Sequence, residues 1–307
     1  MNHIEARDLV KRFGKVSALN GLSLTVPTGS VFGLVGPNGA GKTTTLRIAL
    51  GLLRPDGGSI AVLSEDPWEN VRVRMELGVL HEKPVYPGDM SCRRFLRHVA
   101  RIYGVGDAEK NMKRVLTLVG LEAASERRIK GLSAGMLQRL GIAQALIHEP
   151  PLIITDEPAS NLDPIGRTEL LDLVTALHKD HGVDFLISSH ILPELSKVCD
   201  RLAIIDRGKV HAEGPLDDLL RRYKLNVYKV TSSDPKLMAS ALLKLQYVEQ
   251  ASVEADGALI KIREGHEKDL YRDVGEIAEE IDVTLYGVEA RVTNLEELYR
   301  KVVKERG

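Results

Sequence analysis

The stretch from Ser30 to Thr45, SVFGLVGPNGAGKTTT, constrains this chain more than any other. An apolar run of strand length meets a glycine-rich turn, and a helical pattern follows through Leu46, Ile48, Ala49 and Leu50. From Gly36 to Thr43 the turn reads G-x-x-x-x-G-K-T, the pattern of a phosphate-binding loop. Each residue type has a chemical reason. Gly36, Gly39 and Gly41 allow backbone conformations and close approaches that a Cβ would block. Successive N–H groups can then face phosphate oxygens, and the following helix adds the positive end of its dipole. Lys42 can reach β- and γ-phosphates, and the Thr43 hydroxyl suits Mg²⁺. The expected ligand is a nucleoside triphosphate, and the expected fold is α/β.

Composition narrows the class. The 307 residues are 43% hydrophobic and 28% charged, enough for one large domain with a small one attached. A net charge of −1 and 4% aromatic residues offer neither a global field nor a stacking surface for nucleic acid. Cys92 and Cys199 lack metal-ligand spacing and imply no disulfide framework, which fits a cytosolic compartment. No apolar leader follows Met1, and no window approaches the ~18 apolar residues of a spanning helix. Any work at a membrane is therefore expected to pass through a partner.

Taken in order, Ile4–Val10 and Leu22–Val26 read as strands. Phe13, with Val16 beside it, could stack on a purine or simply pack in the core, and the spacing leaves both open. Ser59–Leu63 and Leu77–Leu80 are expected to extend the main sheet. From Ser91 a basic amphipathic helix carries Arg94, Arg97, His98 and Arg101 beside an apolar flank, as a solvated face or a docking face. Further helix at Lys110–Val119 makes an α-rich insertion. Ser133 is placed to cap a helix running to about Ile147. Leu152–Glu157 reads as a buried strand ending in two acids, in the crevice where open α/β sheets bind ligands. Asp156 suits Mg²⁺, and Glu157 could polarise the water that attacks a γ-phosphate. His190 ends a second such strand, Phe185–Ser189, within reach of the same phosphate.

The first domain is expected to close near 215, with a helix-led linker over 216–225. Residues 226–307 give the order β-α-β-β-α-β with a hairpin turn at Asp256-Gly257, a split βαβ, ferredoxin-like α+β domain. It carries no catalytic constellation, so an accessory or dimer-supporting module is expected.

Together the motifs resemble the ATP-binding cassette (ABC) ATPases. Gly36-Pro37-Asn38-Gly39-Ala40-Gly41-Lys42-Thr43-Thr44 is similar to that family's phosphate loop almost letter for letter. Leu132-Ser133-Ala134-Gly135-Met136 resembles its L-S-G-G-Q signature. Asp156-Glu157-Pro158 looks like its magnesium and catalytic acids, Asp163 like its D-loop aspartate, and His190 like its switch histidine. The resemblance covers roughly residues 1–215. It implies a phosphate-loop NTPase core with an antiparallel β subdomain and a helical insertion over about 82–148. It also implies ATP and Mg²⁺ as ligands, and a head-to-tail dimer in which Ser133, Ala134, Gly135 and Met136 of one copy close on the nucleotide of the other. Separate integral membrane subunits would hold the protein at the cytoplasmic face. The C-terminal region looks like the extension of exporter ATPases of the daunorubicin-resistance, nodulation and nitrous-oxide-reductase-maturation groups. Three positions depart from the family pattern. Glu82 stands where glutamine is usual, Ala134 adds a methyl, and Met136 removes an amide. A soluble ATPase of the same family and a nucleotide-sensing regulatory module are the alternatives, and the residues alone name no substrate.

Overall fold

The computed structural model describes residues 1–223, 226–291 and 295–304. It forms two compact units: residues 1–219 with the end of the last helix from Val302, and residues 220–301.

The first unit opens with the long strands β1 (Asn2–Phe13) and β2 (Val16–Pro27), followed by β3 (Val31–Val35) and α1 (Lys42–Ala49). After β4 (Gly57–Val62), α2 (Val71–Met75) and β5 (Leu77–Leu80) come three helices, α3 (Cys92–Ile102), α4 (Ala108–Leu118) and α5 (Ala134–Leu146). Strand and helix then alternate: β6 (Leu152–Asp156), α6 (Pro164–His181), β7 (Asp184–Ser189), α7 (Leu192–Val198), β8 (Arg201–Asp206) and β9 (Lys209–Pro215). Helix α8 spans Leu216–Arg222, inside the stretch expected to link the domains.

Two sheets organise these elements. The larger has the order β5-β6-β7-β3-β8-β9. Its strands run parallel apart from β9, which returns antiparallel to β8. All five residues of β3 are buried, as a parallel strand covered on both faces requires. The other sheet is antiparallel, ordered β2-β1-β4. Leu22, Leu24 and Val26 of β2 are buried while the residues between them are exposed, so only one face meets the core. Leu46 and Ile48 of α1 join those leucines, Leu34 and Ile154 in one apolar cluster. That cluster fixes the helix behind the phosphate loop.

Strand β4 differs from expectation: it pairs with β1, Ile4 opposite Val62 and Ala6 opposite Ile60, and does not extend the parallel sheet. Gly58, inside β4, has φ +80°, and a Cβ there would lie 2.4 Å from the Asp8 carbonyl O, so the strand lies hard against β1 where the register shifts between Arg7 and Val10. Ile60 and Val62 are then buried with Ser59 exposed, the alternation of a half-covered strand. At the base of the larger sheet, buried Asp184 accepts the Gly29 N–H at 2.6 Å and hydrogen-bonds His3 Nε2 at 2.7 Å.

The second unit contains β10 (Val227–Ser232), α9 (Pro235–Leu242), β11 (Val248–Glu254), β12 (Gly257–Ile262), α10 (Glu267–Glu280) and β13 (Leu285–Ala290). The sheet is antiparallel in the order β11-β12-β10-β13, a split βαβ arrangement. Tyr228, Val230, Ile260, Met238 and Val274 pack its helices onto one sheet face. Helix α11 (Leu295–Lys304) follows. Residues 224 and 225 of the expected linker, and 292–294 and 305–307 of the expected C-terminal domain, lie outside the described residues.

Candidate active site

Strand β3 ends between β7 and β8, and the loop from Gly36 to Gly41 carries the chain over the sheet edge into α1. The three loop glycines have different reasons. A Cβ on Gly36 would sit 2.3 Å from the Ile205 carbonyl O in β8, so this glycine is required by the sheet beneath. Gly39 and Gly41 have φ +82° and +109°, where a side chain is strained. No side chain caps the start of α1, so its first N–H groups stay open to an anion. Lys42 folds back over the loop, donating to Gly36 O at 2.7 Å and Pro37 O at 3.2 Å, and is only 6% exposed.

The acids converge on the same loop from β6. Asp156 Oδ1 accepts the Ser188 hydroxyl of β7 at 2.5 Å. Glu157 follows at φ +49°, a left-handed conformation that a non-glycine residue holds only when its surroundings enforce it. Its N–H is bound to Ser188 O at 3.1 Å, which fixes the turn. Glu157 Oε1 then lies 3.3 Å from Lys42 Nζ, and Oε2 lies 2.7 Å from His190 Nδ1. Beyond His190, Glu194 of α7 pairs with Arg167 at 3.3 Å; burial holds its carboxyl above the ordinary range against the pull of that guanidinium.

An open cleft of about 470 Å³ lies over this assembly. Pro37, Asn38, Gly39, Gly41, Lys42, Thr43 and Thr44 line it, with Glu157 and His190. Gly36 and Ala40 do not: Ala40 is buried in the core, and Gly36 lies against Ile205. Phe13 and Val16, paired across the β1–β2 hairpin, stand at the cleft 50% and 66% exposed, which excludes core packing for Phe13. Thr43 also lines an adjoining cavity of about 390 Å³ together with Asp156 and Glu82.

Other expected site residues lie elsewhere on the chain. Ser133 caps α5, its Oγ accepting the Met136 N–H at 3.3 Å, and neither it nor Ala134, Gly135 or Met136 lines the cleft. A Cβ on Gly135 would meet nothing within 4 Å, so that surface is open within one copy. Asp163 caps α6 by accepting the Gly166 N–H at 2.7 Å and is also outside the cleft. Ser188 and Gln138 escape the sequence reading, while Ser160 and Asn161 belong to the Ser160-Asn161-Leu162-Asp163 stretch that resembles the family's D-loop. Ser188 braces both acids, and Ser160 lines the cleft with a buried hydroxyl that has no partner. Gln138 and Asn161 both donate to the Glu82 carbonyl, each at 3.1 Å. For Ser188 and Gln138 a signal existed, a polar residue within an otherwise buried strand or helix face.

A phosphate loop at a parallel strand, a histidine at the end of the strand beside it and two acids at the end of the strand after that define a phosphate-loop nucleoside triphosphatase. The family model described as ABC transporter matches residues 19–160. Over 221 residues the chain is 39% identical to the bacitracin transport ATP-binding protein BcrA of Bacillus licheniformis, covering 71% of this chain and 72% of that one. The protein of the same name from Enterococcus faecalis is 31% identical over 98% of this chain and 96% of its own length. Nod factor export ATP-binding protein I of Burkholderia lata is 35% identical, over 78% of this chain and 80% of that one. A solved structure described as the ATP-binding subunit of an ABC transporter superposes with a TM-score of 0.64 at 32% identity, covering 72% of this chain and 92% of that one. The chain belongs to the ABC transporter ATP-binding family. It is an ATPase, the ATP-binding and ATP-hydrolysing subunit of a transporter. No helix among the described residues is long and apolar enough to cross a membrane, and a subunit of this family works with membrane partners.

Proposed function

We propose that the cleft over Gly36–Thr44 binds ATP and that Glu157 orients the water that hydrolyses it. The observation that carries this reading is the double anchoring of Glu157, 3.3 Å from Lys42 and 2.7 Å from His190. Phe13 and Val16 offer an apolar seat for the purine, and the loop N–H groups with Lys42 take the phosphates. A water held by Glu157 attacks the γ-phosphorus in line. The bond to the β–γ bridging oxygen breaks, and ADP and phosphate leave. His190, bonded to the same carboxylate, keeps Glu157 aimed and faces the γ-phosphate.

The residues fit a magnesium ion of the kind that accompanies ATP. Thr43, Asp156 and Glu82 share one cavity and supply only hard oxygen donors. Among the described residues no group of three or more His, Cys, Asp or Glu could cage a metal, so phosphate and water oxygens would complete the shell. Such an ion neutralises charge on the phosphates; Thr43 and Asp156 would hold it, with Ser188 orienting Asp156.

The exposed, cleft-remote Ser133–Met136 segment supports a head-to-tail pair of copies, each closing the other's site, with Asp163 at the seam. Ala134 and Met136 weaken that closure, the missing amide hydrogen bond by about 0.5–1.5 kcal/mol. The relatives' names support transport and, for the Nod factor relative, export. The chain would then engage the cytoplasmic face of a membrane through separate spanning subunits. Glu157→Gln tests the core of this reading. Nucleotide affinity should hold within a few-fold while phosphate release falls ~10²–10⁴-fold, the loss typical of a general base. Turnover at the wild-type rate would remove Glu157 from its role.

A further inference from the structure

Helix α3 turns Cys92, Phe95, Leu96, Val99 and Ala100 into the core and presents a basic face to solvent. A groove of about 590 Å³ opens on that face, walled by Arg93, Arg94, Arg97, His98, Arg101 and Glu126. The cations fall into two sets. Arg93 and Arg97 are braced within the chain: both pair with Glu109 of α4, Arg97 at 3.2 Å, and Arg93 also reaches Glu126 at 3.2 Å. Arg94, His98 and Arg101 are exposed, and among the described residues none of their side chains has a hydrogen bond or ion pair. Two arginine charges are thus left uncompensated on one helix. Arg94 with Arg97, and Arg97 with Arg101, are like charges at three- and four-residue spacing, which disfavours a helix unless an anion stands opposite. Arg94 and Arg101 are about 10 Å apart along the axis, too far to share one phosphate and suited to an extended anionic surface. Each guanidinium is permanently charged and matches phosphate oxygens with its planar fork. Ile102, one helical step beyond His98 on the same face, is 62% exposed. An apolar side chain among free arginines fits a boundary that is charged outside and apolar beneath.

We propose that the outer face of α3 rests on the phosphate headgroups of anionic phospholipids, with Arg94 and Arg101 as the contact charges and Ile102 beside them. This rests on the chain working at the cytoplasmic face of a membrane. The spanning subunits supply the main grip, and α3 adds a second, electrostatic one. Its apolar side is already used in the core, so the helix lies against the headgroups and does not insert.

Sedimentation of the full chain with vesicles at low salt tests the contact. Two compositions are compared, phosphatidylcholine alone and an equal mixture with phosphatidylglycerol. Wild type should partition onto the mixed vesicles in preference to the neutral ones, and added salt should release it. At about fivefold per arginine, the double variant Arg94→Gln/Arg101→Gln should lower that partition by roughly 25-fold. Lys179→Gln/Lys209→Gln removes two exposed charges from α6 and β9 and should keep the wild-type partition. An equal loss in that control would make net charge the cause and overturn the inference. Wild type indifferent to phosphatidylglycerol, or an α3 variant that partitions like wild type, would overturn it as well. Capture on immobilised polyglutamate with no preference between the vesicles would assign the face to an acidic protein segment and exclude lipid. The vesicles hold no partner protein, so a negative result strikes the lipid contact and leaves standing the reading of a subunit held by spanning partners.

Discussion

The charge of Lys42 is balanced from within the chain, by two loop carbonyls and by Glu157. A phosphate bound at this lysine would compete with that carboxylate, which would keep His190 as its partner. The same loop shows how a motif residue can answer to the fold and not to the ligand. Gly36 has no room for a Cβ because the Ile205 backbone is 2.3 Å from where it would stand, and backbone cannot rotate aside. Gly39 has room but an unfavourable φ of +82°. Gly36→Ala should therefore destabilise by about 1–3 kcal/mol, as overpacking of a rigid site does. Gly39→Ala should cost only the roughly 1–2 kcal/mol of a left-handed residue and leave the sheet undisturbed. Urea unfolding of the two variants checks the order, and a Gly36→Ala protein as stable as wild type would show that β8 yields.

Two helices begin with caps that a motif reading assigns to other work. Asp163 accepts the Gly166 N–H whatever else it does, so its charge and its capping can be separated. Asp163→Ala should lower stability by about 1 kcal/mol, whereas Asn, an equal cap, should hold it. A thermal midpoint lowered by roughly 2–4 °C in the alanine variant alone is the expected pattern for a unit of this size. The helical region also carries a titrating contact: His148, after α5, stacks on Tyr103 at 3.9 Å with rings 4° from parallel. Burial holds its pKa below the ordinary 6.5. The neutral ring is the one the fold prefers, so this stabilisation is complete above the unfolded value and is lost as pH falls from there through the lowered folded value. Denaturation between pH 7.5 and 5 should show that decline, and His148→Phe, which keeps the stack, should flatten it. The phosphate loop and the Asp156-Glu157 pair were legible because each is written in consecutive residues with strand and helix beside them. Strand β4 was not, because a short apolar run does not say which sheet edge it joins; the close fit of Gly58 against β1 exists only in the fold. Nor were Ser188 and Gln138, whose partners lie at Asp156 and Glu82, reached only after folding. Phe13 stayed ambiguous until its exposure set it at the cleft.

At the scale of the whole molecule the residues of the proposed chemistry lie in the first unit, while the Enterococcus faecalis relative matches along nearly the entire chain, second unit included. The second unit buries its own core, around Tyr228 and Ile260, so substitutions there and in the phosphate loop should act independently. Within the first unit the cleft and the Ser133–Met136 surface are separate places. A copy spoiled at Lys42 still has a sound Ser133 surface, and a copy spoiled at Ser133 still has a sound cleft. Mixed in equal amounts, Lys42→Ala and Ser133→Arg proteins should pair at random, about half as hybrids. Each hybrid carries one doubly broken station and one intact, so the mixture should release phosphate faster than either parent alone. Two dead alleles would then rescue each other in one tube, as genes do when their products share a task.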